Sequence, residues 1–500
     1  MTQYDIALVS TPVMETNVPA PAIYYLKGAL NPHGFKTRCF DLVRDSEEHF
    51  GKEENKQVNS YLLADWHSGM HTEKKDKEIY DMIVDYYRDY VVERIAPTQA
   101  EWVGISVFSQ NSQKSSHILC KVLREAMPDT KIILGGTGLG ISMGGKKTFG
   151  TRLIEEGYAD YFIDGEGENA LVALLKGDTT YPGINSTQYK QIDKIDEIPF
   201  PDYSDYQEDY GDITKITLTG SRGCVRRCSF CDIGAFWKKF RFRSGENIAK
   251  EMIRNKKEYN SKTYFFSDSL INGSMKAFRD LCVVLADYHE KHPRIKDRIK
   301  WGGQFIIRSE RQSPASDYEL MARAGMTWAS IGIESASEDV RNHMDKQFSN
   351  EDMYFSIDQL IKNGIGVTAM FIVGYPTETL EMFDENIKFL KYYADRNSSK
   401  YTKEGLDPGD YGCIRDINLG QTLGVLDDSP LALMTDDFEG KDTWISKTVP
   451  GLDFEERVRR RKKLSRVANA LGYNVRWDEK QLHFLNKKLE DWKEKGKPIR

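Results

Sequence analysis

Three cysteines, Cys224, Cys228 and Cys231, stand as C-x-x-x-C-x-x-C within Thr219-Gly-Ser-Arg-Gly-Cys-Val-Arg-Arg-Cys-Ser-Phe-Cys-Asp232, directly after the β-branched run 213–219. Thiolates this close on one loop can converge on a single soft metal centre. A [4Fe-4S] cluster held by three thiolates keeps one iron open for a further ligand. An electron-carrying cluster usually takes four cysteines, and a structural zinc site takes four Cys or His ligands. No other cysteine lies near this loop in the sequence. The odd number therefore points to an iron that works on a bound molecule. A zinc knuckle completed by a distant ligand, or free buried thiols, are the alternatives.

Positioning such a loop requires a scaffold, and the chain has the length for one. Its 500 residues, 40% of them hydrophobic, suit two or three domains. The N-terminus lacks the basic-then-apolar layout of a signal peptide. No apolar run nears the roughly 20 residues that span a bilayer. Seven cysteines, three of them clustered, argue against a disulfide framework and suit a reducing compartment, so a cytoplasmic location is expected. A net charge of −6 gives no general attraction to nucleic acid. The basic run Arg457-Val-Arg-Arg-Arg-Lys-Lys463 reads as the solvated face of a helix, with an acidic or phosphate-bearing partner as the sharper alternative.

Residues 1–180 alternate between strand-like stretches (6–10, 36–42, 102–107, 131–134, 158–163) and amphipathic ones (22–30, 75–95, 115–126, 168–175). That alternation predicts a Rossmann-like parallel α/β sheet. Ligands of such sheets bind at the carboxyl ends of the strands, here the loops 11–21, 109–114, 135–145 and 164–168. Prolines and turn formers make residues 181–212 a linker. Strand-like stretches resume at 213–219, 263–267, 300–305, 328–333, 367–373 and 413–419. Ser244 caps a helix running to about residue 259, and Asn363-Gly364 ends one that begins near Ser349. Beyond residue 400, two helical patterns at 454–471 and 479–493 follow loop-like sequence.

The cysteine spacing resembles the signature of the radical S-adenosylmethionine (SAM) superfamily, and further motifs extend the resemblance over roughly residues 3–400. It implies a partial (β/α)6 barrel over residues 213–400, with the last strand and a mainly helical, substrate-closing region in 401–500. Cys224, Cys228 and Cys231 would ligate a [4Fe-4S] cluster whose fourth iron takes SAM. Phe230 would lie beside the adenine. Ser267 and Asp268, in Phe266-Ser-Asp268, would sit near the SAM amino group. Gln304 and Arg308 follow the third strand, where a guanidinium suits the methionyl carboxylate. Glu334 and Ser335 close Gly332-Ile-Glu-Ser335, with a structural salt bridge as the alternative for Glu334. Gly374 and Pro376 belong to Gly374-Tyr-Pro-Thr-Glu-Thr379, which is similar to G-x-P-G-E-T but has Thr377 in place of glycine.

The first domain resembles the cobalamin-binding domain of one radical SAM subclass, through Val18-Pro-Ala-Pro-Ala-Ile-Tyr-Tyr-Leu26, Val103-Gly-Ile-Ser-Val107, Leu134-Gly-Gly-Thr137 and Asp164-Gly-Glu-Gly-Glu168. Ser106, Ser109, Gln110, Gly135, Gly136, Thr137, Gly165 and Glu166 are the implied cobalamin contacts. The D-x-H-x-x-G that would supply a lower histidine is missing, and Asp65-Trp-His67 falls in the wrong connection. A Rossmann-like domain without the cofactor is the alternative. Cys413 is a candidate hydrogen donor, and Tyr411 and Trp444 are candidates for substrate packing; core packing is the other reading of each. The implied activity is reductive SAM cleavage to a 5′-deoxyadenosyl radical, fed by a one-electron reductant such as flavodoxin or ferredoxin. The implied reaction is cobalamin-dependent methylation of an unactivated carbon in a small-molecule substrate. Radical cyclisation or rearrangement is the alternative, and a non-catalytic iron–sulfur or zinc protein a second one.

Overall fold

The computed structural model describes residues 3–12, 18–63, 73–140, 147–231, 233–397, 412–420, 430–436, 443–476 and 478–494. Asp65, His67 and Tyr411 lie outside these residues. The chain divides into two compact units, one of Met1–Thr217 with Arg254–Ser261, the other of Leu218–Ile253 with Lys262–Arg500. Among the described residues, no helix is long and apolar enough to cross a membrane.

The first unit is built on five parallel strands: β1 (Ile6–Ser10), β2 (Thr37–Asp41), β3 (Trp102–Ser106), β4 (Lys131–Gly135) and β5 (Tyr161–Ile163). Their spatial order is β2-β1-β3-β4-β5, so the direction of winding reverses between β1 and β3. Crevices for ligands form outside the carboxyl ends of strands at such a reversal. Every residue of β1 is buried, as a central strand covered on both faces requires. Strand β5 starts at Tyr161 rather than residue 158, because the amides of Tyr158 and Ala159 both turn back to the Leu153 carbonyl and close the helix Phe149–Glu155.

The stretch 181–212 contains a short helix. Ser204–Tyr210 is a helix whose acids at i and i+4 face one side. Asp205 meets Lys27 at 2.7 Å and Arg38 at 3.0 Å, and Asp209 pairs with Arg38 and Arg94. The segment is thereby pinned along β2.

A second, six-stranded parallel sheet has the order β13-β12-β11-β10-β9-β6. These strands are β6 (Lys215–Leu218), β9 (Thr263–Phe266), β10 (Lys300–Phe305), β11 (Met326–Glu334), β12 (Gly366–Ile372) and β13 (Ile414–Gly420). A two-residue ladder, β7 (Ser221–Arg222) with β8 (Arg241–Phe242), is set apart from it. Helices separate the sheet strands, among them Gly245–Tyr259, Met275–Lys291, Asn350–Lys362 and Leu380–Tyr392. Ser349 caps Asn350–Lys362 through a capping box with Asp352, as its sequence position predicts.

Two glycines of the first unit separate backbone strain from crowding. Gly157 has φ +77° with nothing near its missing Cβ, whereas Gly136 has φ +112° and a Cβ there would meet the Val107 carbonyl oxygen at 2.4 Å. Gly157→Ala is expected to cost about 1–2 kcal/mol for the left-handed backbone alone. Gly136→Ala should cost clearly more, read as the difference between the two variants in urea denaturation.

Candidate functional site

Strand β6 ends at Leu218, and the chain then enters the β7/β8 ladder, whose register pairs Ser221 with Phe242 and Arg222 with Arg241. The ladder closes a loop that carries all three clustered cysteines. Gly223 opens it at φ +91°, where a Cβ would press on the Lys239 carbonyl at 2.8 Å. Inside the loop, the Arg226 amide donates to the Cys224 sulfur at 3.3 Å and the Cys231 amide to the Cys228 carbonyl at 3.0 Å. The Ser229 amide donates to the Met344 carbonyl at 3.1 Å, and the Ser229 hydroxyl meets the Tyr375 hydroxyl at 2.8 Å. The loop is thus tied to the chain following β11 and β12.

Cys224 and Cys228 are half-buried and Cys231 is exposed, whereas Cys39, Cys120, Cys282 and Cys413 are all buried. Burial pushes the Cys228 thiol up to about 11, and the nearby Lys346 ammonium opposes the shift. Among the described residues, no three His, Cys, Asp or Glu side chains are already gathered into a metal-binding group. What the loop offers is the donor set, three accessible thiols within eight residues, which is the chemistry an iron–sulfur cluster takes.

The residues expected at the other strand ends differ in how free they are. Glu334 ends β11 at φ +61°, a backbone that a side-chain-bearing residue rarely adopts, beside a register shift at Gly332. Its carboxylate pairs with Lys346 at 3.0 Å, and Lys346 lies 5.9 Å from the centre of the Phe230 ring. Phe230, Lys346, Glu334 and Cys228 therefore form one neighbourhood. Arg308 belongs to it as well: its guanidinium donates to the carbonyls of Asn272 and Gly273 at 3.0 and 2.9 Å, while its buried Nε has no hydrogen-bond partner. Burial and the charge of Arg226 lower its basicity, while the thiol of Cys224 raises it. An orphaned N–H beside a second cation is a donor that an anion satisfies.

Ser267 is exposed at the end of β9, with its hydroxyl 3.1 Å from that of Thr219. Gln304 is half-buried near the end of β10, and its carbonyl accepts from the Ile271 amide at 2.7 Å. Asp268 faces into the fold: it accepts from the Gly220 amide at 2.9 Å, and burial pushes its carboxyl up to about 6. It positions the start of the cysteine loop. Ser335 is fully buried, accepting from the Ser337 amide through its hydroxyl and from Arg341 through its carbonyl. Cys413 lies elsewhere in the sheet. It is fully buried just before β13, at the amino end of that strand, while the cysteine loop follows the carboxyl end of β6. Seven residues of strand at about 3.3 Å each separate those two ends of the sheet. Trp444 is a core residue, packed with Val340, Met344, Ile372, Tyr375 and Leu431.

The basic run is only in part a solvated face, with Arg459 and Lys463 exposed. In the helix Phe454–Ala470, Arg457, Arg460 and Arg461 are all buried. Arg457 lies 3.7 Å above the Trp444 ring centre, and its side chain fills the space that a Cβ on Gly374 (φ +80°) would need. Arg460 pairs with the fully buried Glu378 at 3.2 Å and donates to the Glu378 carbonyl at 2.6 Å. Glu378 in turn accepts from the Gly374 amide at 2.9 Å. Ser446 and Thr448 hold the Pro376 carbonyl at 2.6 and 2.9 Å. The loop 374–379 is clamped between β12 and the helix Phe454–Ala470. Lys346, Ser229, Tyr375 and this clamp escaped sequence reasoning, because no local pattern links residues so far apart.

In the first unit, several expected contacts serve the protein itself. Gly136 and Gly165 are glycines because Val107 and the Tyr189 ring occupy their Cβ positions. The Glu166 carboxylate accepts from the Ile192 amide, and the Thr137 hydroxyl donates to the Phe108 carbonyl. Ser109 caps the turn 110–112, which contains Gln110. Ser106, at the winding reversal, accepts from the Thr11 hydroxyl through its carbonyl at 3.1 Å. Gly135 keeps an open Cβ side, its nearest neighbour being the Ile163 carbonyl at 4.0 Å.

Residues 218–390 match the family described as the radical SAM superfamily. The anaerobic magnesium-protoporphyrin IX monomethyl ester cyclase of Rubrivivax gelatinosus is 24% identical over 338 residues, 62% of this chain and 57% of that protein. An uncharacterized methyltransferase of Pyrococcus horikoshii is 25% identical over 351 residues, 65% of this chain and 71% of that protein. The fold is that of TsrM from Kitasatospora setae, a radical SAM methyltransferase, at a TM-score of 0.61 and 13% identity over 98% of this chain and 99% of that one. TsrM has been solved with cobalamin and a [4Fe-4S] cluster bound.

At pH 8, where Glu378 is ionised, Arg460→Met strands a buried carboxylate and is expected to cost about 3–5 kcal/mol, with the double variant Glu378→Gln/Arg460→Met recovering part of it in urea denaturation. Burial pushes the Glu378 carboxyl up to about 7, against Arg460, which favours the ion. The fold therefore favours the protonated form: that stability is present below the ordinary carboxylate value and is lost as pH rises through about 7. Glu378→Gln should remove this part of the pH slope, measured as the parent-minus-variant difference between pH 5 and 8.

Proposed function

We propose that this chain, in which residues 218–390 form a radical SAM domain, cleaves SAM reductively and uses cobalamin to methylate an unactivated carbon. The observation that carries the reading is the meeting of a three-thiol loop, the Glu334–Lys346 pair and the unpartnered Arg308 Nε at the carboxyl ends of parallel strands. Cys224, Cys228 and Cys231 would hold a [4Fe-4S] cluster, their accessibility setting them apart from the four buried cysteines. When bound, the cluster supplies one electron for the cleavage of SAM into methionine and a 5′-deoxyadenosyl radical.

The chain's own residues bind and shield. Arg308 presents its Nε to the methionyl carboxylate, and the Glu334 carboxylate suits the amino group. Phe230 rests against the apolar cluster of Val340, Met344, Ile372, Tyr375 and Trp444, which keeps water from that side of the loop. The clamped loop 374–379 offers backbone groups in a fixed position for the adenine. In the first unit, the open side of Gly135 and the reversal between β1 and β3 suit close approach of a corrin. The fold shared with TsrM, a methyltransferase solved with cobalamin, supports methyl transfer over other outcomes. The cyclase relative of Rubrivivax gelatinosus supports the second reading, radical ring closure. A one-electron protein reductant and a small-molecule substrate complete the proposal.

After anaerobic reconstitution the parent should bind about four irons and four sulfides per chain. Cys224→Ala, Cys228→Ala and Cys231→Ala should each lose them, while Cys39→Ala, Cys120→Ala, Cys282→Ala and Cys413→Ala keep them; a zinc-filled site would sink the reading. Arg308→Ala and Glu334→Ala are expected to keep iron but weaken SAM binding tenfold or more, by about 1.4 kcal/mol, in equilibrium dialysis. Hydroxocobalamin should bind the parent in base-off form, without imidazole splitting in its paramagnetic resonance after reduction to cob(II)alamin. Failure of uptake with normal SAM cleavage would shift the assignment to a cobalamin-independent reaction.

A further inference from the structure

Residues 222–243 hold seven arginines and lysines against one acid, Asp232, in a chain of net charge −6. Two of these cations are structural: Arg241 is buried, and Arg243 is buried on Glu251 at 2.6 Å. Arg227, Lys238 and Lys239 are exposed. Between them the loop exposes apolar surface, with Val225 at 40% and Phe242 at 48%. The Phe242 ring is backed by Phe240 at 5.7 Å, which itself crowds Gly273. The β7/β8 ladder pairs Ser221 with Phe242 and Arg222 with Arg241, so the outgoing limb that carries Val225 and Arg227 and the returning limb that carries Lys238 and Lys239 leave from adjacent strands. Cys231, on the same loop, is exposed as well.

Exposed apolar groups and exposed cations on the two limbs of the cysteine loop fit a partner with an apolar redox edge ringed by carboxylates. We propose that Val225, Arg227, Lys238, Lys239 and Phe242 form the docking surface for an acidic flavodoxin-type electron carrier. The proposal rests on the reading that Cys224, Cys228 and Cys231 hold an iron–sulfur cluster. In the step it serves, one electron leaves the reduced flavin of the carrier and enters the cluster, with no bond made or broken in this chain. Opposite charges speed the encounter, and salt screens them.

The test compares the reconstituted parent with Lys238→Glu/Lys239→Glu, following cluster reduction by its visible absorbance. With reduced flavodoxin at low ionic strength, the variant should be slower by about tenfold or more, and the gap should narrow as salt is raised. With dithionite, both proteins should be reduced and form 5′-deoxyadenosine alike. Carbodiimide cross-linking of the parent to flavodoxin should join carrier carboxylates to Lys238 or Lys239 in peptide maps. Equal flavodoxin rates in parent and variant, or cross-links confined to other lysines, would overturn the docking surface. A parent that binds no iron, or that fails with dithionite, would instead overturn the radical SAM reading itself.

Discussion

Six strands that all run one way impose the main constraint on this molecule. Parallel pairing forces each connection to cross back through a helix, so every carboxyl end, and every loop that follows one, falls on the same side of the sheet. That is why Cys224 after β6, Arg308 after β10, Glu334 at the end of β11 and Gly374 after β12 can serve one site, although 150 residues separate the first from the last. The same constraint removes Cys413, which precedes its strand instead of following it.

The loop after β12 depends on a second, less economical interaction. Glu378 and Arg460 are held out of water as a buried acid–base pair. Such pairs rarely add net stability, because desolvation offsets most of the attraction. Their geometry is strict, however, and it makes the backbone of 374–379 and the helix Phe454–Ala470 adopt one relative position. Arg457, lying over Gly374 and Trp444, strengthens that constraint by excluding any side chain at residue 374.

Glycine-rich loops call for the opposite lesson. The sequence Gly135-Gly-Thr-Gly reads as a cradle for a bound group, yet Gly136 and Gly138 are small because the backbones of Val107 and Ser109 lie against them. Gly135 alone of the three keeps open space on its Cβ side. The cofactor reading of the first unit therefore rests on the topology of its sheet, the open Gly135 and the shared fold more than on the count of glycines.

The sequence by itself determined what short-range chemistry can encode. Alternating apolar periods located the strands of both sheets to within about three residues at each end, and the spacing of three cysteines singled out the loop after β6. Capping signals at Ser349 and Asn363 set a helix correctly because a cap acts on the next few amides. Tertiary structure alone decided the rest, since it depends on which distant groups meet. Lys346 finds Glu334 and Phe230, Tyr375 finds Ser229, and arginines that look like a solvated stripe turn inward because Glu378, Trp444 and Asp478 wait for them. A charge run is solvated unless something buried complements it, and that complement is set by the crossovers of the sheet, not by the neighbours of a residue along the chain.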